Sequence, residues 1–125
     1  MEYFVLTNNP LVRERLAHEA EVAFVSGGIG DVFERAARYV ADGHHLLTHP
    51  LSGSVKPGEM PYKSMLLSAK AARDMDVASA RLISHAIAAC EKFVDRSGSY
   101  SEQILHDLQL VDLSLIEGAR ESARM

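Results

Sequence analysis

Tyr3-Phe4-Val5-Leu6-Thr7-Asn8-Asn9-Pro10 decides the fold class. Tyr3 to Thr7 is apolar, aromatic and β-branched, the composition of a buried strand. Asn9 can then cap a helix and Pro10 can open it, because a proline at the first helical position loses no hydrogen bond. Strand, turn and helix therefore follow one another at once. The helix through Leu11, Val12, Leu16 and Ala17 is brief. Val22-Ala23-Phe24-Val25 predicts a second strand before Ser26-Gly27-Gly28-Ile29-Gly30. Asp31 is expected to cap a second helix, in which Val32, Phe33, Ala36, Ala37 and Val40 recur at helical spacing, and Gly43 is placed to end it in a left-handed turn.

Further along, His45 to His49 predicts a third strand and Ser64-Met65-Leu66-Leu67-Ser68 a fourth. Helices fill the remainder. Val77, Ala80, Ile83, Ile87 and Cys90 form one apolar stripe, which makes Cys90 a packed thiol rather than a nucleophile. Ser99-Tyr100-Ser101-Glu102 has the spacing of a capping box. Ile104, Leu108, Val111 and Leu115 then line one face of a long last helix and are read as mainly core. Alternating strands and helices predict a small three-layer α/β domain spanning 1–125, with a mostly parallel sheet of about four strands and two longer C-terminal helices. Because the last helix is long for so small a sheet, part of its apolar face is expected to pack against a second copy.

A chain of 125 residues suits one core, burying roughly two-thirds of the surface its unfolded form exposes. Apolar residues make up 47% and charged residues 24%, a globular balance rather than a disordered one. The formal net charge is -4 and the basic residues are scattered among acidic ones, so no positive face exists to collect nucleic-acid phosphates. The start has no basic, long-apolar leader pattern, and no later segment has membrane-spanning length, which predicts a cytoplasmic protein. A single cysteine excludes an internal disulfide, a CxxC pair and a multi-thiolate zinc site. No cofactor is called for.

In an open parallel sheet, ligands bind beyond the carboxyl ends of the strands. Three turns have that position: Thr7 to Pro10, Ser26 to Asp31, and Thr48 to Tyr62. The second resembles a phosphate loop in Gly28-Ile29-Gly30, but it lacks a third glycine, follows the wrong strand and places Asp31 where a phosphate would sit, so an ordinary glycine turn is the preferred reading. The third is richer, since Ser52-Gly53-Ser54 offers hydroxyls and accessible amides while Lys56 and Lys63 offer positive charge. An ordered surface loop with solvated lysines is its bland alternative. The expected ligand-binding set is Thr7, Asn8, Asn9, Thr48, Ser52, Gly53, Ser54, Lys56, Tyr62 and Lys63, suited to a small carboxylate or phosphate. His49 is the candidate general acid or base. His44 and His45 point to opposite faces of a strand, and His45 and His49 lie about 13 Å apart at strand rise, so no metal site is expected.

At these residues the chain resembles the GrdX family. Thr7-Asn8-Asn9-Pro10 and Gly43-His44-His45-Leu46-Leu47-Thr48-His49-Pro50-Leu51-Ser52-Gly53-Ser54-Val55-Lys56-Pro57, followed by Pro61-Tyr62-Lys63-Ser64, look like that family's two signature blocks. The resemblance implies a setting beside the selenium-dependent glycine, sarcosine and betaine reductases of amino-acid-fermenting anaerobes, with reductase components as candidate partners. It implies no reaction. Three functions therefore stay open: an accessory or regulatory protein binding a small anion, a small enzyme using His49, and an interaction protein docking on reductase subunits.

Overall fold

The computed structural model describes residues 2–51 and 58–123. Along the chain run β1 (Tyr3–Thr7), α1 (Pro10–Leu16), β2 (Val22–Phe24), α2 (Ile29–Ala41), β3 (Ser64–Ser68), α3 (Val77–Glu91) and α4 (Glu102–Ala123), with a 3₁₀ turn at Ser97–Ser99 before α4. The architecture is mixed α/β. Among the described residues the sheet has three strands in the order β2-β1-β3, with β1 parallel to β2 and antiparallel to β3.

The expected four-stranded, mostly parallel sheet is thus corrected. His45 to His49 makes only one bridge, Leu46 to Leu67, beside β3. Backbone bonds join it to β3 at Leu47 to Leu66 and Ser68 to His45, but hydroxyls take three other amides: His45 donates to Ser68 Oγ, Leu46 to Ser79 Oγ, and Leu66 to Thr48 Oγ1. A ladder whose amides are diverted to side chains cannot extend. The parallel share falls as well, because β3 pairs antiparallel with the central β1.

Alternation along β1 sends Phe4 and Leu6 to one face and Val5 to the other. Phe4 and Leu6 join Met65, Leu67, Val32, Phe33, Ala36 and Ile83 in the larger core, between the sheet, α2 and α3. Val5, Leu66, Val12, Leu16 and Ile116 form the smaller one, beneath α1 and α4. Asn9 caps α1 by accepting from the Leu11 amide, with Pro10 at the first position. α2 begins earlier than expected: Gly28 is the cap, and Asp31 sits a turn inside, its carboxylate accepting from the Gly28 amide. Ser101 rather than Ser99 starts α4, its hydroxyl accepting from the Ile104 amide.

The α3 stripe is buried at Ile83 and partly buried at Ala80, Ile87 and Cys90, while Val77 in the first turn is exposed. For α4 the reading is overturned. Ile104, Val111 and Leu115 are 45%, 44% and 45% exposed, whereas the buried positions are Asp112, Ile116 and Arg120. Arg120 donates to the Tyr3 hydroxyl at 2.9 Å and to Glu117 at 2.6 Å, so a charged side chain ties the end of α4 to the start of β1.

Gly43 ends α2 with φ of 109°, and an added Cβ would lie 2.0 Å from the Ala72 carbonyl oxygen. Gly43→Ala is expected to lower stability by about 2 kcal/mol or more, through left-handed strain and this overlap. Equal melting temperatures for the variant and wild type would contradict that account.

Candidate functional site at the carboxyl edge of the sheet

Leu46 runs antiparallel to β3 and hence parallel to β1, so the turns after β1, after β2 and after Leu47 open on one edge, where β3 begins. Thr7 and Ser64 are cross-strand partners there, with hydroxyls 2.6 Å apart. Ser64 Oγ donates to Asp112 Oδ2 at 2.7 Å, so the shared proton in the Thr7 contact belongs to Thr7, whose oxygen also accepts from the Asn9 amide. Asp112 further accepts from the Ser64 amide and from Asn9 Nδ2. Three donors thus converge on one carboxylate that is 4% exposed.

The expected ligand residues are mostly consumed in this frame. Asn9 spends its second amide hydrogen on the Gln109 carbonyl and its oxygen on the Leu11 amide. Asn8 donates to the carbonyls of Gly27 and Pro61 and accepts from the Lys63 amide, bridging three segments. Tyr62 accepts from Gln109 Nε2, and Thr48 accepts from the Leu66 amide. These side chains hold the edge together. The expectations placed on Ser52, Gly53, Ser54 and Lys56 lie outside the described residues.

Thr48, His49, Lys63 and Ser64 line a small cleft of about 70 Å³ against Asp112 and Leu115 of α4. His49 is exposed, and its Nδ1 accepts from the Leu51 amide, so the neutral ring carries its proton on Nε2. Lys63 is buried. Burial lowers its pKa and the Asp112 charge acts the other way. Burial raises that of Asp112 despite its hydrogen bonds to Ser64 and Asn9 and the charge of Lys63. Each group therefore spends less of the pH range charged than it would in water.

The other histidines go elsewhere. His44 Nδ1 donates to the Ser68 carbonyl at 2.7 Å, and its ring meets Phe4 and Tyr39 edge-on. His45 lies 3.7 Å from Asp76 near the start of α3. Among the described residues no group of three His, Cys, Asp or Glu side chains could hold a metal ion. The Cys90 thiol is pushed up by burial and by Glu91 and Asp95, the opposite of an activated nucleophile. Sequence reading missed Asp112 and Gln109. The available signal was Asp112-Ile116-Arg120, whose four-residue spacing marks a helix face distinct from the apolar stripe.

A mixed α/β domain with an internally bonded polar edge does not by itself define a class of activity. The family model described as GrdX-like protein matches residues 4–121, nearly the whole chain. The chain belongs to this family. No curated protein and no solved structure matches it significantly.

Asp112→Asn puts an amide donor opposite Asn9 or Ser64, and unfolding by urea should show a loss of about 2 kcal/mol. The pH dependence has a definite sign. With a raised pKa the native state holds more protons than the unfolded chain above the ordinary value of 3.8, so the stability owed to Asp112 falls as pH rises through that window. The wild-type advantage over Asp112→Asn should therefore shrink with rising pH there, and a constant or growing advantage would contradict the raised pKa.

Proposed function

We propose that the protein is a cytoplasmic accessory or regulatory module of one domain in selenium-dependent amino-acid reduction, holding a small carboxylate or phosphate at the carboxyl edge of the sheet. The observation that carries this reading is the convergence of His49 and Lys63, from opposite ends of the long loop, on one cleft beside Thr48. Lys63 supplies positive charge and His49 Nε2 a directed donor, the complement of a compact anion. Thr7, Asn8, Asn9 and Tyr62 serve as the frame. The volume admits about two water-sized groups at roughly 30 Å³ each, which suits a carboxylate rather than a nucleotide.

Calorimetry with glycine, sarcosine, betaine, acetyl phosphate and inorganic phosphate tests the reading. At least one should bind, and Lys63→Met should weaken it by about tenfold, the effect of losing one charge-assisted hydrogen bond. Silence across the panel would sink the proposal. An enzyme using His49 as acid or base shares the cleft, and it requires His49→Ala to abolish turnover of a ligand that still binds.

The exposed Ile104, Val111 and Leu115 favour a second reading, docking through α4. With Leu108 they follow a 4-3-4 spacing, the seam of a helix pair, and a second copy can present the same seam antiparallel. Light scattering at micromolar concentration should give a dimer mass that Val111→Asp halves. A monomer would reject self-association and leave docking on reductase components as the form to test.

A further inference from the structure

A second cavity lies on the same edge and shares no lining residue with the His49 cleft. It is a groove of about 460 Å³, in the size range of small-molecule sites. The glycine turn Gly27 to Gly30 forms one wall, and Met60, Tyr62, Phe93 and Leu105 form the apolar remainder, with Cys90 and Asp95 at its margin. Its position follows from topology. The chain leaving β1 turns to α1, beneath the smaller core, and the chain leaving the adjacent parallel β2 turns to α2, beneath the larger one. Connections that part to opposite faces open a crevice between two strands, the usual ligand position in such sheets. Asn8 fixes the groove's width, since its amide donates to Gly27 on one wall and to Pro61 on the other.

Two glycines there meet no steric requirement of the fold. A side chain at Gly27 would strike Asp31, and one at Gly58 would strike the Val94 carbonyl. Gly28 and Gly30 differ. Neither has a positive φ, and a Cβ at either meets nothing within 4 Å. Gly30 lies inside the first turn of α2, where glycine costs up to about 1 kcal/mol relative to alanine. Gly28 and Gly30 both line the groove, where a side chain would take up space. Among the described residues, the lining includes the Asp95 carboxylate and no lysine, arginine or histidine.

We propose that this groove binds a small organic cation with an apolar, ring-sized body, seated between Gly28-Ile29-Gly30 and Phe93 and Tyr62, with its ammonium toward Asp95. Aromatic faces and the Asp95 carboxylate both favour such a charge. The site differs from the anion cleft in place and in charge preference, so the two proposals stand or fall separately.

Amide-detected NMR titrations with benzylamine, benzyl alcohol and benzoate, equal in ring and different in charge, test it. Benzylamine should give saturable shifts at Gly28, Gly30, Tyr62 and Phe93, benzyl alcohol weaker ones, and benzoate the weakest. Gly30→Leu places its Cβ in open space and adds an apolar side chain at the groove wall, so it should fold with an equal or higher melting temperature and lose the shifts. Asp95→Asn should weaken benzylamine several-fold and leave benzyl alcohol unchanged. Absence of shifts with all three probes, benzylamine binding unaltered in Gly30→Leu, or benzoate as the tightest ligand would overturn the proposal.

Discussion

The buried carboxylate of Asp112 is the constraint on which the rest of this structure depends. A helix that presents a charge to the sheet can dock only where donors already wait for it. The start of β3 and the turn after β1 supply them as the Ser64 amide, the Ser64 hydroxyl and the Asn9 side chain. This fixes α4 in rotation and in height along the sheet. It also explains why β3 must be antiparallel to β1, since that pairing brings Ser64 opposite Thr7 at the edge where Asn9 turns into α1.

Rotation of α4 by this polar lock decides what the molecule shows to solvent. With Asp112, Ile116 and Arg120 inward, the apolar seam of Ile104, Val111 and Leu115 is left outside. The same lock sets Lys63 and His49 around one small cleft and leaves the glycine turn after β2 facing a separate, larger groove. Both cavities lie beyond the carboxyl ends of the strands, but their chemistry differs. One is lined by Lys63, His49 and the Asp112 carboxylate, and the other combines apolar walls with the Asp95 carboxylate.

Much of the frame was legible in the residues. β1, its Asn9 cap and Pro10, the second strand, the glycine that ends α2 and the span of β3 follow from local patterns that tertiary contacts reinforce. The failures have physical causes. His45 to His49 has the composition of a strand, yet hydroxyls from Thr48, Ser68 and Ser79 take three amides that a longer ladder would use. The α4 stripe misled because hydrophobic periodicity finds the most apolar face, whereas the docking face carries Asp112 and Arg120. Asn8 and Asn9 read as ligand-binding residues, and the fold turns both inward and bonds them internally. The partners of a buried polar group are distant in sequence, so no local pattern announces them.

A double-mutant cycle on Asn9→Ala and Asp112→Ala, read by urea unfolding, tests the central claim most directly. If α4 is held by a shared polar lock, the two losses are strongly non-additive, with a coupling of about 1 kcal/mol or more. Additivity within about 0.3 kcal/mol would mean that the carboxylate and its donors do not act together, and would contradict this account of the fold.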